Sequence, residues 1–426
     1  MTELLILIDG QIIGRISAQQ GGRLELAYEQ RWSTSTEAHS LSISMPFTQA
    51  HHPQKVVSPY LWNLLPENPA VLHRWAQQYH VSEANPFKLL SYVGADVPGA
   101  AQFVPAERGE EIQSDRGETV HWMSDAEFAE RLQQLGTDAA AMRRPADVGK
   151  MSLPGAQAKT AYYYDAQRGR WGVPGGRTPT THIIKPSIPG FRGLVENEHL
   201  CMDIASRLGM PAANSYVLTA QQTYLVVERY DRLPPRPGSA FVERIHQEDV
   251  CQALGLMPAR KYQEDGGPGI AQIVALIRRV SAEPELDVDR FLQANIFNWL
   301  IGGTDAHAKN YSFLISAGDE VRLAPLYDLS SQLPYPDLVA QRVSMKIGDH
   351  YETSRINVAD WRKLAHNCGL EEERILGMIR DLGGALPDHI SAARRQAVSD
   401  GLQQKVVASL AKLLTSHVSE RTANIG

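Results

Sequence analysis

The sequence of 426 residues predicts an α+β protein, with a strand-rich N-terminal lobe followed by a mainly α-helical C-terminal lobe. Hairpin and strand signals dominate the first half of the chain, whereas helical spacing of apolar residues dominates after about residue 232. The chain is also too long for one ordinary core. We therefore expect three units, at 1–105, 106–232 and 233–426, of which the first is a small β subdomain of the N-terminal lobe.

The first unit begins with strands and continues with helices. Apolar runs at 4–8, 11–16 and 24–28 are separated by Asp-Gly and Gly-Gly pairs, which predicts a small antiparallel meander. From residue 60 onwards the apolar residues follow helical spacing.

The second unit combines a connection, a helix and a second sheet. Residues 105–120 are charged and have no apolar period, so we expect an exposed connection. Ser124 and Glu127 have the spacing of a capping box, which predicts a helix running to about Leu135. Apolar runs predict strands at 180–186, 214–218 and 223–229, with a helix at 194–208 between the first two.

The third unit is predicted to be mostly helical. Helical spacing covers 248–256, 270–280 and 288–300, and two long helices follow near the C-terminus. Between them, apolar runs at 311–315 and 321–326 flank a turn and predict a hairpin.

Composition excludes several classes of protein. Hydrophobic residues make up 43% and charged residues 21%, as in soluble globular proteins. Acidic residues outnumber basic ones by 48 to 42, which disfavours a protein that mainly coats nucleic acid. We find no apolar run of membrane-spanning length and no signal-peptide pattern, and the 3 cysteines lack a CxxC pair. The sequence thus predicts a cytoplasmic protein with reduced, buried thiols.

The strongest chemical motif follows the apolar helix that ends at Ile301. Gly302 and Gly303 let the chain leave this helix, and Asp305 and Asn310 then lie five residues apart. Phosphotransfer sites use such a pair, because the carboxylate orients the attacking hydroxyl and the amide oxygen holds magnesium. Lys309 would then neutralise charge on the phosphoryl group. A helix C-cap with an Asx turn is the alternative interpretation.

A second carboxylate, Asp328, ends a strand downstream. The hairpin predicted before it would carry Asp328 back towards Asn310. The two side chains would then share one divalent ion, for which oxygen ligands indicate magnesium. On its own, Asp328 is better interpreted as an aspartate that caps a turn, and the metal-ligand interpretation is favoured only when Asp305 is considered with it.

Lys185 closes the apolar strand THIIK. A lysine in this position either extends to water or meets an anion. If it faces nucleotide phosphates, a glutamate on the following helix is its expected partner. Glu198 is the first candidate and Glu196 the competitor.

The segment from Ser152 to Thr160 is a turn-rich loop between expected strands. It ends in Lys-Thr as Walker A loops do, but Ala158 stands where that motif needs glycine. A short phosphate-facing loop that offers backbone N–H groups and Lys159 is the functional interpretation, and a plain hairpin turn is the alternative.

Several segments, taken in order, resemble the HipA family of toxin serine/threonine kinases. The matching segments are SLPGAQAKT, HIIKP, NEHLCMDIASRLG, VVERYDR, TDAHAKN and LYDLS, and SISMPF and LWNLLPENP resemble that family's small amino-terminal domain. The resemblance implies a two-lobed, protein-kinase-like fold. It also implies transfer of the γ-phosphoryl group of ATP, with Mg²⁺, to a protein serine or threonine.

The resemblance also assigns roles to residues. Asp305 would be the catalytic base, Asn310 and Asp328 the magnesium ligands, and Glu228 to Tyr230 the adenine-contacting hinge. Ser152 would be an autophosphorylation site whose modification pulls the loop out and switches the enzyme off. The implied ATP-binding residues are Pro154, Gly155, Ala156, Gln157, Ala158, Lys159, Lys185, Glu228, Arg229, Tyr230, His307, Lys309, Asn310, Tyr327 and Asp328.

The implied partners are a small HipB-like helix-turn-helix antitoxin, operator DNA reached mainly through it, and a protein substrate. Glutamyl-tRNA synthetase is a known target in the family. Two alternatives stay open: a small-molecule kinase of the same fold, and a catalytically silent corepressor that binds the antitoxin.

Overall fold

The N-terminal part of the chain is an antiparallel sheet packed against helices. The structure is a computed structural model that describes residues 3–115, 119–147, 149–235 and 241–423. The N-terminal elements are β1 (Glu3–Ile8), β2 (Gln11–Ala18), β3 (Leu24–Tyr28), α1 (Gln30–Ser33), β4 (His51–Pro53), α2 (Gln54–Asn63), α3 (Pro69–Tyr79), α4 (Pro86–Val93) and β5 (Gln102–Pro105). The strands lie in the order β4-β3-β2-β1-β5, so the predicted meander is confirmed.

A second antiparallel sheet forms the rest of the N-terminal lobe. Its elements are α5 (Gly109–Ser114), β6 (Val120–Trp122), α6 (Asp125–Thr137), β7 (Thr160–Asp165), β8 (Arg170–Pro174), β9 (His182–Pro186), α7 (Leu194–Arg207), β10 (Ser215–Thr219) and β11 (Thr223–Glu228). The strand order is β10-β11-β9-β7-β8-β6, which places β9 inside the sheet. The register pairs Lys185 of β9 with Leu225 of β11.

Two expectations for this region are wrong. The connection at 105–120 is not wholly exposed, because α5 buries Ile112 against Leu5, Leu7 and Val104. One apolar residue in a short helix leaves no periodic signal, and residues 116–118 lie outside the described part. Among the described residues between α6 and β7 there is no strand, so the loop at 152–159 is followed by a strand but not preceded by one.

The C-terminal lobe is mainly helical and holds the largest apolar core. Its elements are β12 (Arg232–Leu233), β13 (Glu243–Arg244), β14 (His246–Asp249), α8 (Val250–Ala253), α9 (Ile270–Val280), α10 (Pro284–Ile301), β15 (Ser312–Ser316), β16 (Glu320–Leu323), β17 (Arg342–Ile347), β18 (His350–Glu352), α11 (Val358–Asn367), α12 (Glu372–Ser399) and α13 (Gln404–Ala423). Helix α10 is buried along most of its length, and its C-terminus therefore opens directly from the core.

The helix expected at 248–256 is shorter than predicted and is preceded by a strand. Residues 246–249 form β14 and pair with β15, and α8 covers only Val250–Ala253. The change occurs at Asp249, whose side chain accepts the backbone N–H of Gln252 and caps the short helix. The hairpin of β15 and β16 is confirmed.

The state of the cysteines and the character of the helices can be compared with the expectations from composition. Cys201, Cys251 and Cys368 are free and buried, as expected. Among the described helices, none combines the length and apolar character that crossing a bilayer requires.

A buried ionic cluster joins the N-terminal part to the two lobes. Asp96, which follows α4, pairs with Arg229 at 3.3 Å, Arg232 at 3.0 Å and Arg244 at 3.2 Å. Asp231 pairs with Arg229 and Arg232, at 2.8 Å and 2.9 Å. Burial alone would raise the pKa of Asp96, but the three guanidinium groups outweigh it and hold that pKa well below its usual range.

Asp96→Asn is expected to lower the free energy of unfolding by about 3 kcal/mol, because it leaves three buried guanidinium groups facing one remaining carboxylate. Chemical denaturation of the full chain measures this loss. Asp203→Asn, which breaks the partly exposed pair with Arg207, is the matched control and should cost less than about 0.5 kcal/mol. Equal losses in the two variants would contradict the structural role of the cluster.

Candidate active site

The loop with the Asp305 motif leaves the end of α10 through two glycines. Gly302 adopts the left-handed conformation at φ 68°, and a Cβ on Gly303 would lie 2.5 Å from the side-chain oxygen of Asn298. Asn310 then closes the loop, because its Nδ2 donates to the backbone carbonyl of Asp305 at 2.8 Å. The motif is therefore a compact loop at the mouth of a buried helix.

The carboxylate of Asp305 lies at the cleft and accepts a hydrogen bond. The hydroxyl of Tyr262 donates to its Oδ1 at 2.7 Å. Burial raises the pKa of Asp305, and the hydrogen bond from Tyr262 and the charge of Lys261 oppose that shift without cancelling it.

Lys185 bridges two carboxylates in the interior of the cleft. Its Nζ lies 2.7 Å from Oε1 of Glu198 and also pairs with Asp328. Glu198, and not Glu196, is therefore its partner. Burial raises the pKa of Glu198. Burial acts in the same direction on Asp328, but Lys185 and Lys159 outweigh it and hold the pKa of Asp328 well below its usual range.

Asp328 has an unusual backbone and is tied to the motif loop. Its φ of 54° is in the left-handed region, which non-glycine residues adopt rarely. The preceding Tyr327 donates its hydroxyl to the carbonyl of Lys309 at 2.7 Å. The hairpin thus carries Asp328 back to the loop of Asn310, as predicted, and both line one cleft of about 870 Å³ together with Asp305.

The loop at 152–159 covers this cleft. Nζ of Lys159 donates to the carbonyl of Pro154 at 2.7 Å, and Gly155 adopts φ 102°. Glycine is favoured at this φ, and a Cβ on Gly155 would lie 2.6 Å from that Nζ, which would have to move. Burial lowers the pKa of Lys159 to about 8. A buried amine whose hydrogen-bond acceptor is a neutral carbonyl fits an anionic ligand.

The same loop is anchored to the N-terminal part of the chain. The backbone N–H of Glu67 donates to the carbonyl of Gly155 at 3.1 Å, and Nδ2 of Asn68 donates to that of Ala156 at 3.3 Å. Gln157 donates to the carbonyl of Pro186 at 3.3 Å and Ala158 packs against the N-terminal core.

Ser152 is fully buried at the start of this loop. Its Oγ donates to the carbonyl of Leu64 at 2.6 Å, and its N–H donates to that of Asp96 at 2.9 Å. In this conformation the hydroxyl is inaccessible to a phosphoryl donor.

The hinge residues differ in their environment. Glu228 is exposed, whereas the guanidinium of Arg229 is committed to the buried cluster with Asp96 and Asp231. Arg229 thus has only backbone groups to offer a ligand. Tyr230 stacks on Tyr327 with ring centroids 5.9 Å apart, and both rings line the cleft.

The structure gives Lys309 and His307 of the motif loop surroundings that the sequence did not predict. Nζ of Lys309 lies 2.7 Å from Asp249 and 2.8 Å from Oδ1 of Asn63, so its charge is already paired with protein groups. Burial lowers the pKa of His307 to about 3, which makes this residue a neutral imidazole at the cleft wall.

Family models match most of the chain: a HipA N-terminal domain at 4–104 and a HipA-like C-terminal domain at 151–390. The chain belongs to the HipA family. The serine/threonine-protein kinase toxin HipA of Shewanella oneidensis is 30% identical over 79% of this chain and 76% of its own length. Y4mE of Sinorhizobium fredii is 37% identical over 85% of this chain and 84% of its own length.

A solved HipA structure confirms the fold class. Shewanella oneidensis HipA, in complex with HipB and its operator DNA, matches with a TM-score of 0.85 and 26% identity. The match covers 99% of this chain and 98% of that one. The two-lobed, kinase-like α+β fold predicted from the sequence is therefore correct.

Sequence reasoning missed several cleft residues of this HipA-family protein. Asn63 and Glu67 come from the N-terminal part, and Lys261 and Tyr262 from the segment before α9. Nζ of Lys261 lies 2.7 Å from Oε2 of Glu67, so the pair connects two distant parts of the chain. For Asn63 and Glu67, the sequence signal was that polar residues interrupt the apolar helical stretch LWNLLPENP. This signal does not identify the residues with which they pair.

The groups that line the cleft suit ATP and magnesium. Lys159 and Lys185 supply cationic groups to the lining of the cleft. Asp328 and Asn310 offer oxygen atoms, the ligand type that Mg²⁺ prefers. The residues present therefore fit the nucleotide and the ion that the HipA family implies.

Lys185→Met should lower the free energy of unfolding by about 2 kcal/mol, because the buried Glu198 and the partly exposed Asp328 lose their shared cation. Without Lys185 the pKa of Glu198, already raised by burial, rises further, and the pKa of Asp328 rises above its value in the unfolded chain. The loss should therefore be full at about pH 8, where unfolded carboxyls are ionised, and smaller at about pH 5.

Chemical denaturation at both pH values tests this expectation. Lys412→Met, which removes an exposed lysine of α13, is the control and should change stability little at either pH. A Lys185→Met loss that does not depend on pH would show that lost packing, not charge, is responsible.

Proposed function

We propose that this chain is the toxin of a HipA-like toxin–antitoxin module and acts as an ATP- and Mg²⁺-dependent protein serine/threonine kinase. The observation that carries the proposal is the convergence of Asp305, Asn310 and the Lys185–Glu198–Asp328 cluster on one cleft. The relative named as a serine/threonine-protein kinase toxin supports it.

Asp305 is assigned as the group that orients the substrate hydroxyl and accepts its proton. Its raised pKa makes it a better proton acceptor than an ordinary aspartate. Lys185 and Lys159 offset negative charge on the phosphates, and Asn310 and Asp328 hold the magnesium ion. When bound, the ion neutralises phosphate charge.

The proposal includes partners. A HipB-like helix-turn-helix antitoxin is the expected restraint, since the structural relative was solved with HipB and operator DNA. Contact with DNA would be made mainly through the antitoxin, in keeping with the net charge of −6. The substrate is a protein serine or threonine, with glutamyl-tRNA synthetase as the first candidate.

Asp305→Asn is expected to lower phosphotransfer by about 100-fold or more and to leave nucleotide binding nearly intact, since the residue acts on the hydroxyl. Transfer of label from [γ-³²P]ATP to proteins of a lysate measures phosphotransfer. Calorimetry with Mg²⁺ and ATP measures nucleotide binding. Asp381→Asn, an exposed position on α12, is the matched control. Normal turnover in Asp305→Asn would remove Asp305 from its role.

The same experiment separates the alternative functions. Label in a small molecule would favour a small-molecule kinase of this fold. An unmodified chain that still binds its antitoxin and transfers no label would favour the silent corepressor.

Ser152→Ala should abolish self-inactivation, because the proposed modification adds about two negative charges beside the phosphate-facing loop. We expect wild-type activity to decay during incubation with Mg²⁺ and ATP as mass spectrometry detects phosphate on Ser152. The variant should keep its initial rate throughout. Parallel decay in both proteins would contradict the switch.

A further inference from the structure

The segment that precedes α9 lies directly against the loop of the proposed base. The carbonyl of Lys261 accepts the N–H of Ala308 at 3.1 Å, which fixes the two segments to each other. The ring of Tyr262 packs edge-on against His307, with centroids 5.0 Å apart. The Tyr262 hydroxyl then reaches Oδ1 of Asp305 at 2.7 Å.

The backbone of Tyr262 is held firmly. Its carbonyl accepts the N–H of Asp265 at 3.1 Å and of Gly267 at 2.9 Å. A Cβ on Gly267 would lie 2.7 Å from that carbonyl oxygen and 2.3 Å from the carbonyl oxygen of Arg260, so the turn closes tightly around the tyrosine. A phenol on such a turn has few positions available, and its hydroxyl is aimed at Asp305.

We propose that Tyr262 is a positioning residue that fixes the carboxylate of Asp305 for phosphotransfer. The inference rests on the proposed function, because it concerns the same reaction. The phenol donates to Oδ1 throughout and transfers no proton. Oδ2 remains for the substrate hydroxyl.

The proposed reaction transfers the γ-phosphoryl group of ATP to the substrate hydroxyl. The O–H bond of the substrate breaks and its proton moves to Oδ2 of Asp305. The freed oxygen bonds to the γ-phosphorus of ATP, and the bond from that phosphorus to the β–γ bridging oxygen breaks and releases ADP. Tyr262 contributes by holding the carboxylate in one orientation, because a misplaced reacting group can cost about 100-fold in rate.

Neighbouring charges do not replace this contact. Lys261 is paired with Glu67 and Asp328 with Lys185, so both act on Asp305 only through space. Among the described residues, Tyr262 is the one whose side chain hydrogen-bonds to the carboxylate of Asp305.

Tyr262→Phe removes the hydroxyl and keeps the ring against His307. We expect kcat to fall about 10- to 100-fold with the KM for ATP changed less than about twofold, since the contact acts on the base and not on nucleotide binding. Tyr262→Ala should add little further loss in kcat. Tyr92→Phe, far from the cleft, is the control for loss of a phenol and should match the wild type. Wild-type kcat in Tyr262→Phe would overturn the inference, as would a loss confined to Tyr262→Ala.

A second measurement tests the contact without activity. In protein labelled with 3-fluorotyrosine, the ¹⁹F resonance that disappears in Tyr262→Phe should shift in Asp305→Asn and stay in place in Asp381→Asn. An unshifted resonance in Asp305→Asn would overturn the contact. If the wild type transfers no phosphate, the proposed function fails, while the fluorine result still decides whether Tyr262 holds Asp305.

Discussion

The cleft depends on the charge of Lys185. This residue comes from the inner strand β9, Glu198 from helix α7 and Asp328 from the C-terminal lobe, so one ammonium group ties three separate elements together. The buried carboxylate of Glu198 and the partly exposed carboxylate of Asp328 tolerate each other because that cation lies between them. Asp328, with its left-handed backbone, is held beside the loop of Asn310 by the hydrogen bond from the hydroxyl of Tyr327 to the carbonyl of Lys309.

The N-terminal part of the chain takes part in the cleft. Asn63 holds Lys309, Glu67 holds Lys261, and Asn68 holds the loop at Ala156. Each contact joins residues more than 80 positions apart in the sequence. The conformation of the 302–310 loop therefore depends on the N-terminal part as well as on the C-terminal lobe, because Asn63 anchors its Lys309.

The sequence predicted those features of the site that follow from local order. Asp305 and Asn310 share one loop, Lys185 ends an apolar strand, and a hairpin returns Asp328, so spacing and strand signals were sufficient. The partners of Lys309 and Arg229 could not be predicted from the sequence, because both side chains pair with residues of the N-terminal part, which are distant along the chain. The strand at 246–249 was also missed, because it forms by pairing with β15, which is more than 60 residues away in the sequence.

The position of Ser152 constrains any regulation through it. Its hydroxyl donates to a carbonyl, and the site around it offers Leu64 and Asp96 backbone oxygens that would repel a phosphate. A phosphorylated Ser152 therefore cannot keep this position, and the apolar neighbours Met151 and Leu153 would have to leave the core with it. Because the same loop carries Gly155 and Lys159, its release would remove two groups from the cleft at once. Under the proposed function, modification of Ser152 and nucleotide binding would oppose each other through this one short segment.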